Sequence, residues 1–467
     1  MILTRKYLIE FETKEQEEEL NIWLRICRYW YNKMIGERFA WYEENNIRHN
    51  SCLIDRCPLT CSISAKIDSP NYYSQKRQIA VLNKSPVAVQ HSGEILDFAK
   101  PHSSVMQNVC KRVDLAFTRF LKGDSSGNRS GRPKFKGSKD YTTLFFENVK
   151  DNWLKEDISN KQKLIRIPKI GNVKINLHRP LPESFILKQI GITKELDGWY
   201  ILLIIDDHTT TKIDDEILPT WDNSIGLDAV LKDDVYLATS EGEKLNSLKA
   251  FRKSQDKLAE ISKEKAKKQK GSNRRKKAAI KEAKLHKHIA RQRKDFQYKI
   301  AHALCRTGKK VFFVEDLNLK GLTKRNKAKQ DKDGTYLPNG QSSKSGLNKS
   351  WQDAAFGQFV EILTWVAQKY DAKVVKVNPA YTSQLLSYRD ELVFTDCSIR
   401  EYFDKELELF IDRDINAGIN IKRVGLEIFP VVSKKKEVVR ITKSSTESSA
   451  TAAIEVFKNI NKSDIFE

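Results

Sequence analysis

Three acids stand where elements that the sequence buries come to an end: Asp228 in IGLDAVLKDD, Glu315 in VFFVEDLNLKGL and Asp414 in FIDRDINAGINI. The runs Ser224 to Asp228 and Val311 to Glu315 read as apolar strands that finish on a carboxylate. Asp414 instead opens a helical stretch backed by Ile415, Ala417, Ile419 and Ile421. Two strand ends and a helix start can deliver carboxylates from distant sequence to one place. Hard divalent cations such as magnesium take carboxylate oxygens, and two ions about 4 Å apart clamp the attacking and leaving oxygens of a phosphodiester. Taken singly, each acid has a plainer explanation as a solvated strand end or a helix N-cap. Together, in a strongly basic chain, they favour a metal site facing a polyanion.

The 467 residues include 83 Lys and Arg against 61 Asp and Glu, a formal net charge of +22, with 40% hydrophobic content for real cores. Such an excess predicts a polyanionic partner through counterion release. No apolar run approaches the about 18 residues of a membrane span, so nucleic acid fits and a membrane does not. Glu10 and Glu12 among the first apolar residues argue against a signal peptide. Seven cysteines, an odd number, argue against a disulfide framework.

Elements must now position the acids. Residues 2 to 11 alternate as a strand, and from Lys14 an apolar face of Leu20, Trp23, Leu24, Cys27, Trp30, Tyr31 and Met34 predicts a helix. A second helix, with Val105, Val109, Val113, Ala116, Phe117 and Phe120, closes at the loop LKGDSSGNRSGRPKFKGSK. There, glycines would let Arg129, Arg132, Lys134, Lys136 and Lys139 approach phosphates, and a mobile linker is the equal alternative. Residues 141 to 205 read as strands, with a hairpin at Asp197-Gly198, and with the first strand could make a small barrel. Beyond Pro219 come strands 224 to 230 and 235 to 240 and a long helical region to Arg306, broken at GSNRRKK. Between Lys249 and Lys299 there are 20 Lys or Arg against five acids, and Arg274, Arg275, Lys276, Lys277, Arg291 and Arg293 are expected to contact nucleic acid. Leu322 to Lys344 is expected to be flexible, Ser350 to Tyr370 helical, AKVVKVNP a strand, and 431–467 a tail without fixed structure. Strand, strand, insertion, strand, helix, strand, helix is the order of a ribonuclease H-like α/β domain.

At these residues the chain resembles the TnpB family of insertion-sequence-encoded RNA-guided DNA endonucleases, relatives of small type V CRISPR effectors. The likeness runs from YWYNKMIGERF through SSVMQNVCKRVDLAFTRFL and GRPKFKGSKDYTTL to IGLD, VEDLNLKGL, GLNKSWQDAAFGQFVEILTWVAQKY, VNPAYTSQ and DRDINAGINI. It implies a multidomain α+β protein: a wedge β-barrel (1–14 and 139–218) with an inserted helical recognition lobe (15–138). A RuvC-like nuclease domain (219–380 and 408–430), carrying the basic helical hairpin 248–306, would follow. It further implies Asp228, Glu315 and Asp414 as ligands of two magnesium ions, with manganese as a substitute. Arg413 and Asn416 would orient the third acid or the phosphate. The implied reaction is hydrolysis of both strands of a double-stranded target beside a short adjacent motif, under a guide RNA transcribed from the transposon end. A prokaryotic, cytoplasmic, nucleoid-associated protein is implied, as monomer or dimer.

Departures bear on that carry-over. Val230 stands where relatives have Gly, and Gly418 replaces a usual Ala at a small helix cost. Between Thr382 and Asp412, where two CxxC pairs of a zinc ribbon are usual, there is only Cys397, and one thiol cannot make a tetrahedral site. The segment 381–407 is therefore expected to be a metal-free substitute packed by Leu392, Val393, Phe394, Tyr402 and Phe403, with no structural zinc. His49, Cys52, Cys57 and Cys61 cluster upstream and offer zinc-ligand types, but without CxxC spacing a buried or loop role is preferred. The alternatives are an RNA-guided DNA-binding protein that no longer cuts, and a transposase or resolvase working without guide RNA.

Overall fold

Residues 2–51, 68–89, 93–147, 149, 153–159, 162–208, 217–232, 234–389, 391–396, 398–432, 438–439 and 445–463 are described by the computed structural model. The chain forms a multidomain α+β fold of two compact units, Met1–Thr209 and Thr210–Glu467. Cys52, Cys57, Cys61 and Cys397, and the side chain of His49, lie outside the described residues. Cys27, Cys110 and Cys305 are buried free thiols.

In the first unit, β1 (Ile2–Glu10) is followed by three helices, α1 (Lys14–Ser51), α2 (Tyr72–Leu82) and α3 (Ser103–Leu121). After them come β2 (Thr143–Phe146), β3 (Leu154–Ser159), β4 (Gln162–Ile167), β5 (Gly171–Asn176), β6 (Phe185–Glu195) and β7 (Gly198–Asp207). The strands form one antiparallel sheet in the order β2-β6-β7-β1-β5-β4-β3, so the first strand sits at its centre and the helices are an insertion after it. Among the described residues no ladder joins the edge strands β2 and β3. The predicted α1 face is buried throughout, and Trp30 and Phe98 meet edge to face at 6.2 Å. The hairpin turn falls one residue early, because Glu195 pairs with Gly198.

The second unit begins with β8 (Ser224–Ala229), β9 (Val235–Thr239) and β10 (Lys244–Asn246), then α4 (Ala250–Ala266) and α5 (Asn273–Arg306). It continues with β11 (Val311–Glu315), α6 (Gln341–Ala354), α7 (Phe356–Ala367), β12 (Lys373–Val377), β13 (Glu401–Asp404) and β14 (Leu409–Asp412). Last come α8 (Arg413–Gly425) and α9 (Ser445–Ser463). The sheet order is β10-β9-β8-β11-β12, with β8, β11 and β12 parallel and β9 and β10 antiparallel to their neighbours. One face packs Leu227, Phe312 and Val314 under α5 and α7, and the other packs Val311, Phe313 and Val377 against Ile421 of α8.

Three expectations need correction. The predicted single helix from Ser350 starts at Gln341 and breaks at Ala355, whose φ of +50° is left-handed. Buried Gln297 satisfies the break by donating to the carbonyls of Ala354 (3.1 Å) and Ala355 (3.2 Å). The 431–467 tail is not structureless: α9 buries Ala453 and Phe457 in a core shared with Ile411, Ile415 and Ile419. Finally, Phe403 does not pack inward. It pairs across strands with Phe410 on an exposed face, ring centroids 4.8 Å apart, because strand alternation gives the inner face to Tyr402 and Asp404.

Phe394 is buried in the segment 381–407, with Val393 and Tyr402 packed beside it. Its polar centre is Asp404, fully buried and accepting from Tyr388 Oη (2.6 Å), Arg389 Nη2 (2.9 Å) and the backbone N–H groups of Glu406 (3.0 Å) and Leu407 (3.2 Å). Burial alone would raise the Asp404 pKa, but these hydrogen bonds and the Arg389 charge hold it below the usual carboxylate range. The sign follows: this contribution is present above the unfolded pKa of about 3.9 and is lost as pH falls through the lower folded value. Asp404→Asn should cost about 3 kcal/mol, roughly 6–12 °C in the Tm of the second unit, and should flatten the acid limb of Tm against pH, measured by calorimetry.

Candidate active site

Parallel pairing sets the first two acids side by side. Leu227 pairs with Val314, so Asp228 and Glu315 are the next residues on adjacent strands. Alternation then turns them to one face: Leu227 and Val314 pack under α5 and α7, while Gly226 and Phe313 lie toward α8. Asp228 and Glu315 share that second parity, and α8 brings Asp414 to the same face.

Two glycines make the approach possible. A Cβ on Gly226 would meet the carbonyl oxygen of Gly418 at 2.1 Å, and one on Gly418 would meet the Ser240 nitrogen at 3.0 Å. The helix backbone thus lies directly on the strand that carries Asp228, which accounts for Gly418 where an alanine would be the better helix former. Val230 is buried in the core beneath α8 and donates its N–H to the carbonyl of Tyr236 (3.1 Å), continuing the strand edge.

The helix start separates capping from chemistry. Asp412, not Asp414, is the N-cap, accepting from the N–H groups of Asp414 and Ile415 at 3.0 Å each, and Lys244 pairs with it. Asp414 remains available, with Arg400 Nη1 at 2.8 Å from its Oδ1. Asn416 is fully buried and spent on backbone: it accepts from the Ser387 N–H (2.9 Å) and donates to the Leu385 carbonyl (2.7 Å). It therefore fixes a loop and does not reach a phosphate. Asn420, one turn on, holds the carbonyls of Thr382 (2.9 Å) and Leu385 (2.7 Å). Thr382 in turn donates to Glu315 Oε1 (3.1 Å), so α8 positions the second acid through two hydrogen bonds. Arg413 donates to the Asp396 carbonyl at 3.3 Å.

Electrostatics ties the acids together. Burial, then the charges of Glu315 and Asp414, push Asp228 well above the ordinary carboxylate range, against the opposing Ala229 N–H and Arg413. Burial raises Glu315, with the Thr382 hydroxyl opposing. Burial and the neighbouring Asp412 raise Asp414, opposed by Arg400, Lys244 and Arg413. Among the described residues no three His, Cys, Asp or Glu side chains converge closely enough to hold an ion as they stand. In donor type and in charge the acids nevertheless fit a hard divalent cation, because the set is all oxygen and its mutual repulsion is what a cation relieves. A cavity of about 520 Å³ touches Glu315 and is walled by Leu227, Leu237, Val314, Phe356 and Trp365, so it suits no phosphodiester.

Some of the predicted nucleic-acid residues also have partners within the chain, exposed Arg132 among them. Arg132 pairs with Glu43 and stacks 4.0 Å over Phe39, and the Lys136 backbone is held by Asn32. Arg275 caps α4 through the carbonyls of Lys265 (3.1 Å) and Lys268 (2.8 Å), and Arg293 donates to the Gln352 carbonyl (2.8 Å). Lys134, Arg274, Lys276, Lys277 and Arg291 are exposed. Nothing in the sequence marks Thr382 or Arg400 as part of this cluster. Asn420 had a signal, since an Asn four residues after Asn416 within an apolar stretch shares its face.

Residues 209–326 match a family described as "Probable transposase", 356–421 one described as "Cas12f1-like, TNB domain", and 1–46 one described as "Helix-turn-helix domain". The last description does not fit the local structure, which is one strand and one unbroken helix. A Streptomyces pristinaespiralis protein named "Putative RNA-guided DNA endonuclease" is 26% identical over 425 residues, 89% of this chain and 88% of that one. The Escherichia coli (strain K12) protein "Putative RNA-guided DNA endonuclease InsQ" is 26% identical over 327 residues, 69% of this chain and 74% of that one. A chain from the cryo-EM structure of a Cas12f1-sgRNA-target DNA complex shares the fold at a TM-score of 0.51 and 12% identity, covering 90% of this chain and 98% of that one. Over most of its length the chain is thus similar to proteins named as RNA-guided DNA endonucleases, and it shares the fold of a Cas12f1 chain.

Proposed function

We propose that the chain is an RNA-guided, magnesium-dependent DNA endonuclease of the transposon, cutting double-stranded target DNA beside a short adjacent motif. The observation that carries it is the electrostatic influence of Glu315 and Asp414 on buried Asp228, with β8, β11 and α8 supplying the three acids; the β10-β9-β8-β11-β12 order of the sheet supports a ribonuclease H-like, RuvC-type reading. Relatives named as RNA-guided DNA endonucleases support the guide and the target. On this reading, residues 1–14 and 139–218 form the wedge, 15–138 the recognition lobe, and the described segment within 381–407 takes the place of a zinc ribbon.

Asp228, Glu315 and Asp414 would hold the magnesium. When bound, magnesium supplies positive charge that stabilises the oxygens of the phosphodiester undergoing hydrolysis. The chain's own groups do the rest. Thr382 keeps Glu315 turned toward Asp228, Asp412 satisfies the helix start so that Asp414 stays off capping duty, and Arg400 with Lys244 offsets the negative charge of the cluster. Specificity would reside in pairing between guide and target strand, with the basic surfaces gripping backbone.

Purified with its flanking RNA, wild type should linearise a matched plasmid with magnesium and not with chelator. Asp228→Ala should cut at least on the order of 10²–10³-fold more slowly while keeping guide-dependent binding. Cleavage that survives this substitution would remove the site; guide-dependent binding without cleavage by wild type would leave a targeting protein. Thr382→Val should lower the single-turnover rate by about 3- to 10-fold, the worth of one hydrogen bond, and Thr382→Ser should restore it.

A linked stability effect checks the cluster without activity. Because the folded pKa of Asp228 is raised, its ionised form favours the unfolded chain, so this contribution is lost as pH rises from the ordinary carboxylate range through the folded value. In chelator at pH 8, Asp228→Asn should therefore raise Tm by roughly 2–4 °C, read by differential scanning fluorimetry.

A further inference from the structure

Just after Glu315 the chain leaves the sheet, makes a short helix at Leu319–Leu322, and runs out and back before α6 begins. The sequence predicts flexibility there, yet the excursion is a stapled finger. Its strands Lys329–Gln330 and Tyr336–Leu337 pair in antiparallel register. Asp331 closes the tip by accepting from the N–H groups of Asp333 (3.0 Å) and Thr335 (2.9 Å), and Gly334 takes the positive φ of +81°. At the base, Asn326 donates to the Asn339 carbonyl (2.8 Å), Asn339 to the Lys327 carbonyl (2.9 Å), and Asn348 of α6 to the Thr323 carbonyl (2.8 Å).

Its surface chemistry is specific. Residues 320–344 hold seven Lys or Arg against two acids, and one acid, Asp331, is occupied in the tip. Among the described residues no ion pair neutralises Lys324, Arg325, Lys327, Lys329 or Lys332. Tyr336 is 72% exposed and Leu337 46% exposed in the midst of this charge. Residues 327–355 fall between the two family matches of the second unit, so most of the finger is outside what those families describe.

We infer that this finger is a binding element for single-stranded nucleic acid, with Tyr336 stacking on an unpaired base and Lys327, Lys329 and Lys332 meeting the flanking phosphates. An exposed ring ringed by cations is what an unpaired strand needs, since every base offers a π-face and every linkage a charge. A duplex keeps its bases stacked on one another and would use the lysines alone. The finger is rooted at the end of β11, so a strand held on it is delivered to the Glu315 side of the carboxylates. The inference deepens the proposed function and rests on its nucleic-acid reading, but its test is binding and not cleavage.

The test uses the full chain and fluorescein-labelled 20-mers of oligothymidylate, oligouridylate and a mixed-sequence DNA duplex, by anisotropy across a salt series. Tyr336→Ala should weaken single-strand binding by about 5- to 50-fold and duplex binding by less than about twofold, with Tyr336→Phe close to wild type. Changing Lys327, Lys329 and Lys332 together to Gln should reduce the slope of log K against log salt by about 2. Tighter binding of oligothymidylate assigns the finger to the DNA strand, and tighter binding of oligouridylate to the guide. Single-strand affinity of Tyr336→Ala within twofold of wild type, or equal losses on duplex and single strand, overturns the inference. The altered side chains are exposed, so an unchanged Tm confirms that each variant folds. Finger-dependent binding by a wild type that never cuts would sink the nuclease reading alone; cleavage with binding indifferent to Tyr336 would sink the finger alone.

Discussion

The constraint on which the second unit depends is that a helix backbone must lie on a strand with nothing between them. Gly226 grants that contact, since a methyl group there would collide with the Gly418 carbonyl, and a methyl on Gly418 would in turn press on the backbone of Thr239 and Ser240. Everything acidic follows from it. Asp228 is two residues beyond Gly226 and Asp414 is one helical turn before Gly418, so the closeness of the glycines sets the closeness of the acids. A bulkier pair would lift α8 off the sheet and spread the charges that now repel one another.

Holding repelling charges together needs support from elsewhere, and α8 provides it with its polar side. Asn416 and Asn420 are buried to anchor residues 382–387, and that segment returns a hydroxyl to Glu315. The helix thus contributes one acid directly, a second through Thr382, and, by its contact with β8, the placement of the third. The exposed basic surfaces carry a different duty and can be less exact, because phosphate attraction acts over a Debye length of about 8–10 Å.

Much of this was legible in the sequence for a physical reason. Buried parallel strands that end on an acid are short apolar runs, and Val311 to Glu315 and Ser224 to Asp228 announce themselves. What was illegible depended on partners far away in the chain. In the sequence Arg132, Arg275 and Arg293 are only basic residues, whereas in the fold Glu43, the α4 carbonyls and Gln352 stand beside them. The break at Ala355 carries no glycine or proline, being held by Gln297 from another helix. Residues 431–467 lack the pattern of a long amphipathic helix because α9 needs only Ala453, Phe457 and a few neighbours to dock.

The docking of α9 has a consequence for how the protein comes into being. Ile415 and Ile419, on the helix that carries Asp414, share their core with Ala453 and Phe457, residues some forty positions later. During synthesis from the amino end, the first unit and the sheet strands emerge well before that core can close. The carboxylate cluster is therefore finished late, after the surfaces expected to meet RNA are already out of the ribosome.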